Sequence, residues 1–281
     1  MKHFNVIYPT PSFRWARYRI TKKFLEDSHE TTPVNWQGID VSQRPEARMR
    51  ELLNVSFSVD MRGQHDLDHW RLDTGANLPW ADDHFVERVC GQPINPGVEW
   101  ANWPWGDSAD RFRDADGRFN HNYMERYWPK YAGNDPNGQG EYNTVGADKN
   151  YGIRHEYGDL NDLVSLLLKD PETRQAWIPI FFPEDTGIAD GGRKPCSLGY
   201  HFMVRDKRLH VYYPLRSCDF VRHWGDDVYL TVRLALWVLE QCRERSTSDY
   251  WGGVHLGSFT MHCTSLHMFV NDHIQLRSSQ S

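Results

Sequence analysis

Several common sequence motifs are missing from this chain. None of its five cysteines belongs to a CxxC pair, which excludes a zinc ribbon and a thioredoxin-type redox motif, and no metal site is expected. Their odd number and irregular spacing also argue against a disulfide framework, so we expect a reducing, cytoplasmic compartment. The chain has no apolar run of about 18 residues and no secretory-type N-terminal segment, so no membrane partner is expected.

Nucleotide-binding loops of the common types are also missing. The chain contains neither GxGxxG nor GxxxxGK(S/T), which argues against a doubly wound dinucleotide fold and a P-loop. The formal net charge is −6, so a strongly basic face and a nucleic-acid partner are not expected. A small phosphate site stays open, because it requires only a few arginines.

The 281 residues have the composition of a globular protein, with 39% hydrophobic and 25% charged residues. We expect one α/β (α+β) domain over residues 1–281, with a mixed sheet and packed helices. Residues 1–45 are polar and rich in proline, which predicts an irregular N-terminal arm. Residues 97–150 combine Gly, Asn and Asp with Trp and Tyr, which predicts long insertion-like loops.

Hydrophobic periodicity predicts the regular elements of the remaining chain. Alternation or short apolar runs predict strands, and 3.6-residue periodicity predicts helices, one of which ends at the dipeptide Asp170–Pro171. A tight turn is expected at Asp206–Lys207, between two strands. The predicted strands are 51–60, 176–183, 198–206 and 208–217, and the predicted helices are 160–174 and 227–242.

Residues 196–227 hold the side chains best suited to chemistry. Cys196 precedes a strand, and a cysteine near an arginine or a helix N-terminus is readily ionised to the nucleophilic thiolate. Arg216 and Ser217 offer a guanidinium fork and a hydroxyl, which suit a phosphate. From these residues alone, a buried structural Cys196 and an Arg216 in a surface ion pair remain alternatives.

The same residues resemble the active-site core of the thymidylate synthases. That family has a PCH nucleophile motif, a strand of the type QFYVxDxKL and an RSxD motif. This chain has Pro195-Cys196-Ser197, then HFMVRDKRL, then an RSCD segment that ends at Asp219, in the same register. The resemblance is close over residues 160–273, patchy over 50–150 and absent in the N-terminal arm.

Other segments extend the resemblance. DPETR, which ends at Arg174, is similar to the DPxSRR segment that reaches the partner subunit's phosphate, although Gln175 replaces the second arginine. His267 lies in a segment similar to HxYxNH, which holds the sugar, and Phe269 replaces its tyrosine. Trp100 and Trp103 match the family's WxxW.

The resemblance implies a thymidylate synthase fold and a homodimer formed through the sheet face. It implies a pyrimidine nucleoside monophosphate substrate and the cofactor 5,10-methylenetetrahydrofolate, which would supply a one-carbon unit to C5. The implied site comprises the nucleophile Cys196, the base-binding Asp219 and Asp227, the phosphate-binding Arg216, Ser217 and Arg174, the sugar-binding His267 and Phe269, and the cofactor-binding Trp100 and Trp103.

Departures from the family pattern bear on the substrate. Asp227 stands where thymidylate synthases have a uracil-reading asparagine and where phage-type cytidylate hydroxymethylases have aspartate. We therefore expect CMP or dCMP as substrate and a 5-hydroxymethyl product. Alternatives are a helix-capping Asp227 with Asp226 reading the base, a uridylate methylase or hydroxymethylase, and a non-catalytic nucleotide-binding homologue.

The glutamate that handles protons in the family's HELLW motif has no clear match. HDLDHW offers Asp66 and Asp68, alignment on the tryptophan of NLPW offers Asn77, and Glu87 is a further option. We select Asp68 as the expected catalytic carboxylate, with the others as alternatives.

Overall fold

The structure is a computed structural model that describes residues 5–36, 39–64, 66–105, 110–111, 113, 115, 117–119, 121–132, 154, 156–186 and 194–279. The strands in these ranges are β1 (Asn5–Thr10), β2 (His29–Thr31), β3 (Asn35–Trp36), β4 (Ile39–Asp40), β5 (Met49–Asp60), β6 (Trp177–Pro179), β7 (Gly199–Arg205), β8 (Arg208–Asp219) and β9 (His255–Phe269). The helices are α1 (Phe13–Asp27), α2 (Leu67–Thr74), α3 (Trp80–Arg88), α4 (Tyr123–Tyr127), α5 (Leu160–Lys169), α6 (Pro183–Thr186), α7 (Trp224–Arg245) and α8 (Val270–Ser278).

A seven-stranded mixed sheet forms the centre of the described fold. Its order is β1-β5-β9-β8-β7-β6, and β2 pairs with β5. The pairs β1–β5 and β8–β9 are parallel, and the other pairs are antiparallel. Helix α7 contacts β8 and β9, and α1 contacts β1 and β5. This is the expected mixed sheet with packed helices. No helix in the described ranges has the length and apolarity needed to cross a membrane.

The turn between β7 and β8 has the expected position. Asp206 and Lys207 have φ of 50° and 56°, the left-handed geometry of a two-residue hairpin. The hairpin sets the register of β8, in which Leu209, Val211, Tyr213 and Leu215 are buried on the core side. The register of β8, the strand that leads to the RSCD segment, is therefore set by its own alternation of buried and less buried residues.

The N-terminal segment departs from the expected irregular arm. It contains β1, α1 and β2, and the side chain of Ser12 caps α1 by accepting from the Trp15 N–H. Phe13 is fully buried, and its ring lies edge-on to the rings of Trp70 and Phe259. The expectation failed because the narrow apolar stripe of α1 is diluted by arginines and lysines on its outer face.

The region expected to form insertion-like loops contains short helical turns where it is described. They are Val98–Asn102, α4 and Pro129–Tyr131. Residues 133–150 lie outside the described residues. Met124, Tyr127 and Trp128 are buried, so this part of the region contributes to the core.

Close contact between two glycines brings α7 against the end of α2. Gly75, with φ of 66°, ends α2 in the left-handed conformation. A Cβ on Gly225 would lie 2.8 Å from the Gly75 carbonyl oxygen, so only glycine permits this approach. The contact places the first turn of α7 beside the loop that contains Asn77.

Candidate active site

One cavity of about 300 Å³ collects most of the residues expected in the site. Its lining spans β8, β9, the start of α7 and the tryptophans before α4. The predicted residues that line it are Cys196, Arg216, Ser217, Asp219, Asp227, His267, Trp100 and Trp103.

Arg216 organises the backbone on which Cys196 lies. Its Nε donates to the Pro195 carbonyl and its Nη2 to the Lys194 carbonyl, both at 2.8 Å. The same Nη2 lies 3.9 Å from Sγ of Cys196, and the backbone N–H of Arg216 donates to the Cys196 carbonyl at 2.9 Å. A positive charge next to the sulfur favours the thiolate, the reactive form of cysteine.

Ser197 stands where the resembled family has the histidine of PCH. Its hydroxyl is fully buried and lies 2.8 Å from the Tyr123 hydroxyl and 2.6 Å from the Tyr213 hydroxyl. Burial raises the pKa of both tyrosines, so both remain neutral. The three hydroxyls form a network that fixes the residue next to Cys196.

The parallel ends of β8 and β9 bring the RSCD segment next to His267. Asp219 pairs with His267 in the strand register, and Oγ of Ser217 lies 3.3 Å from Nδ1 of His267. Burial lowers the pKa of His267, which favours the neutral ring. Asp219 accepts from the N–H groups of Val221 and Arg222, so its carboxylate stabilises the turn that leads into α7.

Asp227 carries a partly buried carboxyl group that lines the cavity. The Cys218 thiol donates to its Oδ2 at 3.3 Å. Burial raises the pKa of Asp227 to about 7, an effect opposed by the Cys218 hydrogen bond and by the positive charge of Arg88. The group can therefore exist as a neutral acid near neutral pH, able both to donate and to accept a hydrogen bond.

Three tryptophans form one wall of the cavity. The ring centroids of Trp80 lie 5.5 Å from Trp100 and 5.9 Å from Trp103, and Trp103 stacks on His223 at 5.2 Å. The indole N–H groups of Trp80 and Trp100 are buried without a hydrogen-bond partner among the described residues. A buried unsatisfied donor costs free energy, and a planar ligand that carries acceptors would satisfy it.

Arg88 lines the same cavity, although no sequence motif pointed to it. The side chain is 4% exposed, and its guanidinium lies 4.1 Å from the centre of the Tyr123 ring. Its Nε donates to Nε2 of His84 at 3.0 Å, and His84 stacks on Trp80 at 4.8 Å. Trp80, His84 and Arg88 are four residues apart on α3, and this helical spacing was the signal that could have revealed them.

The proposed carboxylates Asp68 and Glu87 do not line the cavity. The side chain of Asp68 is 75% exposed and forms an ion pair with Arg71, outside the cavity that Cys196 lines. This corrects the choice of Asp68 as the expected proton acceptor. Glu87 accepts from the backbone N–H of Glu99 at 3.1 Å and orders that loop.

Two further predicted residues also lie outside the cavity lining. Arg174 is exposed after α5 and does not reach the cavity within one chain. Phe269 lines a smaller neighbouring cavity, where its ring is edge-on to Trp36 at 5.6 Å and Arg222 lies 4.7 Å above it. Phe269 is the last residue of β9 and directly precedes α8.

Comparison with solved structures supports the fold. The structure resembles thermostable thymidylate synthase A from Bacillus subtilis with a TM-score of 0.60 and 13% identity, over 94% of this chain and 82% of that one. The chain therefore has a thymidylate synthase-like fold. It is also 30% identical over 128 residues to a deoxyuridylate hydroxymethyltransferase from Bacillus phage SP01. That match covers 45% of this chain and 31% of the phage protein. No family model matches the chain.

Proposed function

We propose that the protein is an enzyme that transfers a one-carbon unit to C5 of CMP or dCMP and hydrates the product to the 5-hydroxymethyl nucleotide. The observation that carries this proposal is a single cavity lined by Cys196, Arg216 and the partly buried acid Asp227. The similarity to a phage protein named as a hydroxymethyltransferase supports the reaction class.

The proposed chemistry begins with the Cys196 thiolate. The sulfur adds to C6 of the base, and the electron pair of the C5–C6 double bond makes C5 nucleophilic. The guanidinium of Arg216, 3.9 Å from the sulfur, stabilises the thiolate before attack. The same guanidinium and the Ser217 hydroxyl would bind the phosphate, which aligns the ring above the sulfur.

Asp227 would read the pyrimidine edge. A neutral carboxyl group donates its O–H to N3 of cytosine and accepts from the N4 amino group with its carbonyl oxygen. Burial raises the pKa of Asp227 to about 7, which supplies this neutral form. The thiol of Cys218 holds one carboxyl oxygen without adding a charge.

The sugar and the second subunit complete the proposed substrate site. His267 would contact the ribose hydroxyls, and the missing hydroxyl at Phe269 is compatible with CMP as well as dCMP. Arg174 would reach the phosphate of a partner subunit in a homodimer formed through the half-exposed face of the sheet. The exposure of Arg174 in the single chain is consistent with that role.

The tryptophan wall fits the proposed cofactor, 5,10-methylenetetrahydrofolate. The pterin ring is flat and carries acceptors, which suit the unsatisfied N–H groups of Trp80 and Trp100. When bound, it supplies the one-carbon unit at the oxidation level of formaldehyde. Trp100 and Trp103 would hold it and exclude bulk water from C5.

A uridylate hydroxymethylase is the second candidate, favoured by the name of the phage relative. The neutral form of Asp227 is also compatible with uracil, since its O–H can donate to O4 and its carbonyl oxygen can accept from N3–H. The two candidates therefore differ in the base and share the nucleophile.

The deciding experiment uses CMP, dCMP and dUMP labelled with tritium at C5, with and without 5,10-methylenetetrahydrofolate. Release of tritium from a cytidylate, with a product heavier by CH₂O in mass spectrometry, is the expected result. Release from dUMP alone would favour the second candidate, and a gain of CH₂ would indicate methylation. Absence of release from all three by folded protein would contradict both.

A further inference from the structure

Asp226 is a buried carboxylate that lines the cavity and that the reaction proposed above leaves unused. Two donors of Asn77 hold its side chain: the backbone N–H donates to Oδ1 at 2.7 Å, and the side-chain amide donates to Oδ2 at 2.8 Å. Asp226 is 4% exposed. Asn77 precedes Trp80 by three residues, so these two hydrogen bonds lie where the tryptophan wall meets the start of α7.

The other carboxylates that line the cavity have structural or binding partners. Glu51 is paired with His29 and accepts from the Ser265 hydroxyl. Asp219 accepts from two backbone N–H groups and pairs with Arg222. Asp227 accepts from the Cys218 thiol and is assigned to the base. Among the described residues, Asp226 is the lining carboxylate with neither a cationic partner in contact nor a proposed role.

We propose that Asp226 is the catalytic residue that accepts the proton from C5 of the pyrimidine and that Asn77 positions its carboxylate. This proposal rests on the proposed function. Asp226 and Asp227 are consecutive in the first turn of α7, so one carboxyl group can read the ring while its neighbour faces C5. Burial raises the pKa of Asp226, which makes its carboxylate a stronger base.

The proton transfer balances without an oxidant. After the sulfur has added to C6, the freed C5–C6 electron pair bonds C5 to the one-carbon unit, or to a solvent proton when no folate is bound. C5 is then tetrahedral and still carries its original hydrogen. The C5–H bond breaks, the proton passes to a carboxylate oxygen of Asp226, and the electron pair forms the C4–C5 double bond. The former C4–N3 π pair moves to N3, where the O–H of Asp227 can supply a proton. Asp226 thus takes a proton at one edge of the ring while Asp227 gives one at another.

The test compares Asp226→Asn with wild type in two assays that need different groups. Wash-out of tritium from C5 of dCMP into water requires the proton acceptor, and it is measured with and without 5,10-methylenetetrahydrofolate. We expect a loss of about 10²- to 10⁴-fold in both conditions. The second assay uses 5-fluoro-dCMP with the folate, because fluorine cannot leave C5 as a cation and the Cys196 adduct accumulates. Intact-protein mass spectrometry should find that adduct in both proteins.

Asp83→Asn is the matched control, because Asp83 is an exposed aspartate of α3. If wild type itself neither releases tritium nor forms the adduct, the proposed function and this inference both fail. If wild type does both and Asp226→Asn releases tritium at the wild-type rate, the role of Asp226 alone is overturned. Loss of the adduct along with the wash-out would indicate a structural role and would also overturn it. If Asp226→Asn still released tritium and Asp68→Asn did not, the proton acceptor would be Asp68.

Asn77→Ala gives an independent measurement if Asp226→Asn folds poorly. The variant keeps the backbone N–H donor but loses the amide, and both donors lower the pKa of Asp226. The cations whose charge acts on this carboxylate are Arg17 of α1 and Arg88 of α3, and the neighbouring acid is Asp227. We expect the acidic limb of the rate profile to move to higher pH. A lower rate with an unmoved limb would contradict the positioning role.

Discussion

The Sγ atom of Cys218 donates to Oδ2 of Asp227 across 3.3 Å, which joins strand β8 to the first turn of α7. A thiol is a weak, uncharged donor, so it orients the carboxyl group without forcing it to ionise. An arginine or lysine in the same place would hold Asp227 as a carboxylate and remove its O–H. The pairing therefore keeps the donor that the proposed reading of cytosine N3 requires.

Asp227→Asn should move the base preference toward uridylate. An asparagine can donate to O4 of uracil and accept from N3–H, whereas its amino group faces the amino group of cytosine. We expect the ratio of kcat/KM for dUMP over dCMP to rise by about 10²-fold or more, because a mismatched buried polar pair is costly. Steady-state kinetics with both nucleotides measures the ratio, and an unchanged ratio would show that Asp227 does not read the base.

The stability of the wild-type protein should depend on pH through Asp227. The pKa of this group is raised to about 7 in the folded protein, so between its ordinary value of 3.8 and 7 the folded state binds more protons than the unfolded state. The free energy of unfolding therefore falls as pH rises through this window, by about 1.4 kcal/mol per unit from this group. In urea titrations at several pH values, Asp227→Asn should show a weaker decline, and an identical slope would contradict the assignment.

Cys196→Ser should abolish turnover and spare nucleotide binding. A serine hydroxyl is far less ionised than a thiol, so addition to C6 should slow by about 10³-fold or more. Calorimetry should give a dCMP affinity within about threefold of wild type, since phosphate contacts dominate binding. The control is Cys90→Ser, which changes an exposed cysteine that does not line the cavity. Equal loss in both variants would argue against a nucleophilic role for position 196.

Trp100→Leu should weaken folate binding more than nucleotide binding. The substitution removes a ring of the tryptophan wall and one unsatisfied N–H. We expect the Kd for 5,10-methylenetetrahydrofolate to rise about 10- to 100-fold, the loss typical of one aromatic platform. Fluorescence quenching measures it, with Trp15→Leu, an exposed position on α1, as the control. If the affinity for dCMP changed and the affinity for the folate did not, the tryptophan wall would contact the nucleotide, and its assignment to the folate would be wrong.

The sequence predicted best the parts of the site that are local in the chain. Cys196 and Asp219 are joined by one hairpin, so motif spacing and strand alternation were enough to place them together. Arg88 and Asp226 were harder to predict, because they join the cavity through contacts among α2, α3 and α7. Asp68 was assigned to the site because its residue type and its distance from a tryptophan match the family motif. That spacing does not show which face of the short helix α2 points toward the cavity.

The regular N-terminal segment shows a second limit of sequence reasoning. Helix α1 has four fully buried residues, Phe13, Ala16, Ile20 and Phe24, surrounded by charged positions. Composition averaged over 1–45 hides that stripe, whereas a helical wheel of 13–27 alone would reveal it. Asp73 accepts from the N–H groups of Phe13 and Arg14, a contact that depends on tertiary packing and has no local signature.

The Arg216 side chain donates to the carbonyls of Lys194 and Pro195 and is also the proposed phosphate ligand, so one side chain would serve both anchoring and reactivity. An unphosphorylated nucleoside would leave that guanidinium without its counterion and free to settle on the sulfur. Nucleosides would then bind more weakly than nucleotides, and the sulfur would also add more slowly to C6 of their base. The Cys196 thiolate would then add to C6 only when Arg216 is bound to the phosphate of a nucleoside monophosphate.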